Sequence, residues 1–208
     1  YKQFGSGKRQ VKAVQNLDLE VKAGQVYGFL GPNGAGKTTT IRMLLDLIRP
    51  TSGTVALFGE LVQRNHAVLS RVGAMVEGAT FYPYLTGRKN LEVLARSGGY
   101  YDPTRIQALI EQVGMADRAD RRTKGYSTGM KQRMGLAATL LGNPDLIILD
   151  EPTNGLDPAG IQEMRVFIRD LAAKQGKTVF LSSHMLNEIE QVCDRVAIIN
   201  KGQLIREG

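Results

Sequence analysis

The sequence predicts an α/β fold with a largely parallel β-sheet. Short apolar runs rich in β-branched residues alternate with longer segments in which apolar residues recur at helical spacing. No repeat with a period of about 20 to 50 residues occurs, which argues against a repeat architecture. With 208 residues, 42% of them apolar and 23% charged, the chain can form a hydrophobic core. This composition excludes disordered, collagen-like and disulfide-scaffold proteins.

Four apolar runs are predicted to be strands of this sheet: residues 26–30, 146–149, 178–181 and 196–199. The clearest helix is predicted for residues 158–175, because Asp157 is a suitable N-cap, Pro158 suits the first turn and Gly176 is a typical stop. A second helix is predicted for residues 103–113.

The middle third of the chain differs from the rest. In residues 77–140 strand-like runs disappear and helical segments are separated by glycines, so we expect a helical insertion in a core made of residues 1–76 and 141–208. The net charge is +7, and residues 85–133 hold ten basic and five acidic residues. A solvated helical face explains this bias, and no nucleic acid is expected as a partner.

The cysteine content and the hydropathy of the sequence indicate whether disulfides or membrane-spanning segments are expected. The single cysteine, Cys193, cannot form an internal disulfide and is expected to be a buried structural thiol. The apolar stretches fall far short of the roughly 20 residues that cross a bilayer, so the chain is expected to be soluble by itself. It begins at Tyr1 without a methionine and stops at Gly208 just after a strand-like run, and we expect it to be a piece of a longer chain.

A phosphate-binding loop is predicted at residues 31–38, where Gly-Pro-Asn-Gly-Ala-Gly-Lys-Thr fits the pattern G-x-x-x-x-G-K-[ST]. It lies between a predicted strand and a helix predicted for residues 38–48, where backbone N–H groups and the helix N-terminus bind phosphate. Lys37 should bind the β and γ phosphates, and Thr38 should offer its hydroxyl to Mg²⁺. Nucleotide contacts are expected from Gly31, Asn33, Gly34, Ala35, Gly36, Lys37, Thr38 and Thr39.

Two carboxylates, Asp150 and Glu151, follow the apolar run 146–149. Ligands of parallel sheets bind at the carboxyl edge, so both side chains should stand beside the phosphate loop. We expect Asp150 to hold Mg²⁺, directly or through water, and Glu151 to polarise a water molecule for attack on the γ phosphate. The alternative for an isolated Asp-Glu pair is a helix cap.

The segment of residues 126–133 precedes this acidic pair and reads Tyr-Ser-Thr-Gly-Met-Lys-Gln-Arg. Together with the phosphate loop and the acidic pair, this segment makes the whole chain resemble the nucleotide-binding subunit of ABC transporters. The usual signature there is LSGGQ, from which Thr128 and Met130 depart. Ser127 and Gly129 open a helix whose positive end binds phosphate, and Ser127 also serves as its N-cap. The resemblance implies one domain, a P-loop NTPase (RecA-like) core with a small antiparallel β subdomain and an inserted α-helical subdomain, residues 77–140.

The signature binds the nucleotide of the partner subunit in that family, so the resemblance implies a head-to-tail dimer with a second copy or a homologous subunit. Three further positions match the family's site residues. Residues 154–157, Asn-Gly-Leu-Asp, resemble the loop that links the two sites, and Asp157 also caps the next helix. His184 resembles the switch histidine that contacts the γ phosphate. Phe4 resembles the aromatic residue that stacks on adenine, with Tyr1 as the alternative.

Glu77 stands where most of the family has glutamine. Either side chain offers an oxygen to Mg²⁺ or to the attacking water, but a carboxylate adds negative charge and should couple more tightly to the metal. Phe81, Tyr82 and Tyr84 follow, and aromatics clustered beside a proline predict an exposed docking patch. The resemblance implies that residues 77–85 receive an integral membrane permease. This segment looks most like subunits of bacterial drug, bacitracin and lantibiotic exporters.

The resemblance therefore implies an ATPase with Glu151, His184 and Lys37 as catalytic residues, which converts ATP to ADP and phosphate. It would power a separate permease from the cytoplasmic face of the cell membrane, exporting a drug, peptide antibiotic or lipid-like substrate. The alternative is an ABC-type ATPase of a soluble machine for iron–sulfur assembly, DNA repair or ribosome-associated work. The repair type would need a long coiled coil between the phosphate loop and the signature, and this sequence has none.

Overall fold

The computed structural model describes residues 1–208 apart from the side chain of Lys8. The strands are β1 (Lys2–Phe4), β2 (Val11–Val14), β3 (Val26–Leu30), β4 (Ala56–Leu57), β5 (Glu60–Leu61), β6 (Val72–Met75), β7 (Leu146–Asp150), β8 (Thr178–Ser183), β9 (Arg195–Asn200) and β10 (Gln203–Glu207). The helices are α1 (Lys37–Leu44), α2 (Gly87–Ser97), α3 (Pro103–Gln112), α4 (Thr128–Thr139), α5 (Pro158–Ala173) and α6 (Leu186–Glu190).

The central sheet has six strands in the order β10-β9-β3-β8-β7-β6. Strands β9, β3, β8, β7 and β6 are parallel, and β10 is antiparallel at one edge. Strands β3, β7 and β8 are buried along their whole length, as expected for parallel strands covered on both faces. Two further sheets, β1–β2 and β4–β5, are antiparallel pairs. The predicted α/β fold with a small antiparallel part is confirmed.

The hydrophobic core lies on both faces of the central sheet. Tyr27 and Phe29 of β3 pack with Ile41 of α1 in one cluster, whereas Val26 and Leu30 belong to the other, to which α2, α3, α4 and α5 contribute. Successive side chains of a strand point to opposite faces, so β3 supplies both layers. The sheet is thereby held rigidly, and its carboxyl edge becomes a fixed platform.

Cys193 packs beside the central strand β3. A Cβ atom on Gly28 would lie 2.8 Å from the Cys193 sulfur, so glycine is needed there for the close approach. Burial raises the pKa of the Cys193 thiol to about 12. The thiol is therefore protonated at neutral pH and serves as a packing group.

Helix ends follow the sequence signals in most places. The Asp157 carboxylate accepts from the Gly160 amide at 3.0 Å and starts α5, which ends two residues before the predicted boundary. Helix α1 is shorter than predicted, because it ends at Leu44 and not at residue 48. The chain turns back after this end: the amides of Leu47 and Ile48 both donate to the Arg42 carbonyl, at 2.9 and 3.3 Å. Helical periodicity in the sequence does not predict this helix end.

Residues 77–140 contain α2, α3 and α4. Helices α2, α3 and α4 pack against one another, and α4 also contacts β6 of the central sheet. Within the part of the chain that the structure describes, no helix is both long and apolar enough to cross a membrane.

Candidate functional site

The loop between β3 and α1 has the backbone shape that phosphate binding needs. Gly34 and Gly36 have positive φ angles of +79° and +105°. A Cβ atom on Gly36 would lie 2.5 Å from the Ala13 carbonyl oxygen, so only glycine fits there. A cavity of about 430 Å³ opens beside this loop, lined among others by Asn33, Gly34, Gly36, Lys37, Thr38 and Thr39. Ala35 is buried beneath the loop, and Gly31 begins it by donating its amide to the Ser183 carbonyl at 3.1 Å.

Lys37 at the start of α1 is only 5% exposed. A buried ammonium group needs partners, and the chain itself supplies them. Its Nζ atom donates to the carbonyls of Gly31 at 2.6 Å and Pro32 at 3.2 Å, and it lies 3.1 Å from Glu151 Oε1. Lys37 is thus aimed across the mouth of the loop, in the direction from which a phosphate would approach.

Asp150 is the last residue of β7 and is paired in register with Ser182 of β8. Both of its carboxylate oxygens accept hydrogen bonds, Oδ2 from the Thr38 hydroxyl at 2.8 Å and Oδ1 from Ser182 at 2.6 Å. The Ser182 oxygen in turn accepts from the Glu151 amide at 3.0 Å. Ser182 therefore fixes both acidic residues, a role that we did not predict.

Glu151 follows β7 in a left-handed backbone conformation, with φ +48°. Such a conformation is uncommon outside glycine and often occurs at functional sites. One carboxylate oxygen faces Lys37, and the other lies 3.2 Å from His184 Nδ1 and accepts from the Asn154 side chain at 3.0 Å. The segments that follow β3, β7 and β8 thus bring Lys37, Glu151 and His184 together.

Thr38 and Asp150 offer oxygen ligands, the type that Mg²⁺ prefers. Among the described residues, no group of three or more His, Cys, Asp or Glu side chains forms a metal site. A site with one carboxylate and one hydroxyl suits Mg²⁺ that is bound together with phosphates, because Mg²⁺ usually takes few protein ligands. The residues present therefore fit this ion in the presence of a nucleotide.

Glu77 lies at the same cavity as the predicted metal ligands. It lines a space of about 310 Å³ together with Thr38 and Asp150, and its backbone has φ +57°. Its carboxylate is 2.5 Å from an Arg42 guanidinium nitrogen. Glu77 thus lies beside Thr38 and Asp150, the predicted metal ligands, and is paired with Arg42.

The aromatic segment after Glu77 is only partly a surface patch. Tyr82 and Tyr84 are 50% and 65% exposed, with ring centres 5.9 Å apart. Phe81 packs against the core, so the prediction that all three are exposed is wrong for Phe81. The buried Asn90 side chain accepts from the Tyr82 amide at 2.7 Å and donates to its carbonyl at 3.2 Å, which holds this segment against α2.

The signature helix α4 begins at Ser127, whose hydroxyl accepts from the Met130 amide at 3.2 Å. The buried Tyr126 anchors this end by donating to the Arg118 carbonyl at 2.8 Å, and burial raises the pKa of its hydroxyl. Ser127, Gly129 and Asp157 line a separate cavity of about 600 Å³. Within the described residues, they do not line the cavities beside Lys37.

The two candidate adenine-stacking residues lie in different surroundings. Phe4 is 43% exposed and is paired in the β1–β2 ladder with Val11, which lines the cavity beside the phosphate loop. Tyr1 is tied to another segment: its amino group donates to the Ser52 carbonyl at 3.1 Å, and its own carbonyl accepts from the Thr51 amide at 2.9 Å. The surroundings of Phe4 favour it over Tyr1.

Four site residues were missed by sequence reasoning. The positions of Ser182 and Asn154 carried a signal, since Ser182 stands two residues before His184 and Asn154 opens the loop that ends at Asp157. Gln132 lies in the motif of residues 126–133, but nothing in that motif placed its side chain beside Glu151. Glu188 carried no signal, because it is one polar letter within a helical segment. Glu188 is buried and accepts from the hydroxyls of Thr153 at 2.7 Å and Ser183 at 2.8 Å, joining the loop after β7 to the end of β8.

Comparisons with known proteins identify a family and several similar sequences. A family model described as "ABC transporter" matches residues 14–154 of 208. The bacitracin transport ATP-binding protein BcrA of Bacillus licheniformis is 51% identical over 197 residues, 94% of this chain and 64% of that protein. The daunorubicin/doxorubicin resistance ATP-binding protein DrrA of Streptomyces peucetius is 43% identical over 95% of this chain and 61% of that protein. The ABC transporter ATP-binding protein NatA of Bacillus subtilis is 38% identical over 100% of this chain and 86% of that protein.

The chain thus spans less than two thirds of the bacitracin and daunorubicin relatives. Among solved structures, a dimeric bacterial ABC transporter cassette matches with a TM-score of 0.88 and 26% identity, covering 100% of this chain and 94% of the other. A cassette dimer in a post-hydrolysis state bound to ADP and Pi has the same fold, with a TM-score of 0.89, 24% identity and the same coverage. With this fold, the phosphate loop and these identities, the chain belongs to the ABC transporter family, as one of its ATP-binding cassettes.

Proposed function

We propose that this chain binds ATP with Mg²⁺ and hydrolyses it to ADP and phosphate. The observation that carries the proposal is the meeting of three groups at one sheet edge. Lys37 and His184 lie 3.1 and 3.2 Å from the two oxygens of Glu151. A cation, a carboxylate and an imidazole beside a glycine-rich loop and a helix N-terminus suit phosphoryl transfer to water.

Nucleotide binding is assigned to the phosphate loop and to Phe4. Phosphate oxygens would replace Glu151 and the loop carbonyls as partners of Lys37, with the backbone amides of the loop and α1 around them. Adenine would stack on the half-exposed ring of Phe4. The nucleotide-binding set is Phe4, Gly31, Asn33, Gly34, Ala35, Gly36, Lys37, Thr38 and Thr39.

The metal ligands proposed are Thr38 and Asp150, with Glu77 beside them. When bound with the nucleotide, Mg²⁺ supplies positive charge against the phosphates. The Thr38 hydroxyl and Asp150 carboxylate already lie 2.8 Å apart, so little rearrangement of the chain is needed.

In the hydrolysis step, Glu151 accepts a proton from a water molecule. The water oxygen forms a bond to the γ phosphorus, the bond from that phosphorus to the β–γ bridging oxygen breaks, and ADP leaves with the bonding electrons. Lys37, the N-terminus of α1 and His184 stabilise the negative charge of the γ phosphate. The contact that His184 makes with Glu151 holds the base in place before the nucleotide arrives.

Ser127, Gly129 and Asp157 are proposed to serve a second nucleotide, bound to another subunit. Their cavity is distinct from those beside Lys37, and the amides at the N-terminus of α4 suit a phosphate. A head-to-tail dimer of two copies, or of this chain and a homologous subunit, would complete two sites. The dimeric state of a similar solved cassette supports this arrangement.

We further propose that the dimer powers an integral membrane permease from the cytoplasmic face of the cell membrane. The core would consist of residues 1–76 and 141–208, and the helical subdomain of residues 77–140. The permease would dock at residues 77–85, where Tyr82 and Tyr84 are exposed. Export of a drug, peptide antibiotic or lipid-like substrate is supported by relatives named for bacitracin transport and daunorubicin/doxorubicin resistance.

The test is Glu151→Gln, which keeps the shape of the side chain and removes the base. We expect kcat to fall by on the order of 10² to 10⁴ while ATP affinity is kept. ATP should then trap a dimer, seen as a doubled mass by light scattering. The control is Glu190→Gln, since Glu190 is an exposed carboxylate outside the site. Turnover of Glu151→Gln at the wild-type rate would rule out this base.

A further inference from the structure

Gln132 has a buried polar side chain to which the proposed function assigns no role. It lies in α4 and is only 7% exposed. Its Oε1 oxygen is buried and accepts no hydrogen bond from any group that the structure describes. A buried carbonyl without a partner lowers stability, and native proteins keep few of them. Such an atom calls for a functional explanation.

The surroundings of Gln132 point to a ligand. It lines the cavity of about 310 Å³ that also contains Thr38, Asp150 and Glu151. This cavity is polar and larger than a water molecule needs. A side-chain amide both donates and accepts, so it can hold a water molecule that also contacts a carboxylate.

The position of Gln132 along α4 adds a second point. The helix begins at the Ser127 cap, and Gln132 follows five residues later, about 7.5 Å along the axis. One rigid helix therefore has its N-terminus at the 600 Å³ cavity, and Gln132 at the cavity that holds Glu151. A shift of α4 at one end would move the amide at the other.

We propose that Gln132 is a positioning residue for hydrolysis on its own chain: its amide holds a water molecule beside the Glu151 carboxylate. This inference rests on the proposed function and deepens it. The signature helix, which faces the other subunit's nucleotide, then also sets the water geometry in its own site. Docking of a nucleotide at the Ser127 end would align Gln132, so that hydrolysis waits for the dimer.

The test compares Gln132→Met with Gln162→Met in the purified chain. Methionine has the same length and remains a good helix former but removes both polar atoms of the amide. Gln162 is the matched control, since it is an exposed glutamine within α5 and lines neither the 600 Å³ cavity nor the cavities beside Lys37. For Gln132→Met we expect kcat to fall at least tenfold, with the KM and the Kd for ATP within about twofold of wild type. Gln162→Met should keep both kcat and KM.

A double mutant separates positioning from a general loss of structure. In single-turnover reactions, adding Gln132→Met to Glu151→Gln should change the rate by less than about twofold, because both act on the same water. The inference is overturned by an equal tenfold loss in both backgrounds, by a rise in KM at constant kcat, or by wild-type activity of Gln132→Met. If the wild-type chain itself does not hydrolyse ATP, the proposed function fails, and this inference fails with it.

Discussion

Two regions of this molecule carry phosphate-binding features, and they are built differently. At the carboxyl edge of the sheet, Lys37 and His184 contact the Glu151 carboxylate, and Asp150 accepts hydrogen bonds from Thr38 and Ser182. At the start of α4, by contrast, Ser127 caps the Met130 amide and stands at a cavity of about 600 Å³, apart from that edge. The sheet edge holds its charges by internal pairing around Glu151, whereas the start of α4 presents a capped helix N-terminus.

Because of this difference, the two regions are suited to different tasks in nucleotide binding. The sheet edge can bind a nucleotide by exchanging internal partners for phosphate oxygens, so its binding needs one chain only. In the proposed dimer, the start of α4 offers a helix N-terminus to the nucleotide of the other chain. Substitutions at the two regions should therefore affect different steps.

Ser127→Ala should lower ATP hydrolysis by about 10²-fold, because a hydroxyl aimed at the second nucleotide is lost. The Kd for ATP of the single chain should change less than about twofold, as judged by isothermal titration. The substitution also removes a helix cap, which costs about 1 kcal/mol of unfolding free energy.

Thr86→Ala controls for that cap, since the Thr86 hydroxyl accepts from the Lys89 amide at 3.1 Å and starts α2. It should cost a similar unfolding free energy in urea denaturation and leave ATPase activity unchanged. An equal loss of activity in both variants would show that the signature end matters only for stability.

Phe4→Ala should raise the Kd for ATP about tenfold, because stacking of a base on an aromatic ring contributes about 1 to 3 kcal/mol. The rate of bound nucleotide hydrolysis should stay the same, so the effect appears in KM and not in kcat. Tyr1→Ala is the matched variant and should have little effect on affinity. Stronger weakening by Tyr1→Ala than by Phe4→Ala would assign the stacking role to Tyr1.

Glu77→Gln should have the smallest effect. Glu77 and Arg42 side chains are 61% and 41% exposed, so loss of their pairing should change unfolding free energy by less than about 1 kcal/mol. Removing one negative charge beside Thr38 and Asp150 should raise the half-saturating Mg²⁺ concentration about two- to threefold. ATPase rates measured against free Mg²⁺ test this, and a lower Mg²⁺ requirement would contradict the metal role of Glu77.

Where sequence and structure agree, the signal was local. The pattern G-x-x-x-x-G-K-[ST], the acidic pair after an apolar strand and the caps at Asp157 and Ser127 each fix a backbone shape within a few residues. Parallel strand topology then brings Glu151 and His184 to one edge without further information. The end of α1, the inward turn of Phe81 and the role of Glu188 were not predictable in this way, because each depends on contacts with segments outside its own stretch of sequence.

The fold class, the phosphate loop and the residues around it follow from the sequence, because helix caps, strand runs and glycine positions act over a few neighbouring residues. Which polar side chains are buried at the sheet edge follows only from the packing of the whole chain. Gln132 shows this most clearly: the motif that contains it says nothing of burial, and packing of α4 against the sheet puts its amide in the cavity of Thr38, Asp150 and Glu151. Burial is a property of the whole fold, since it depends on side chains that are far apart in the chain.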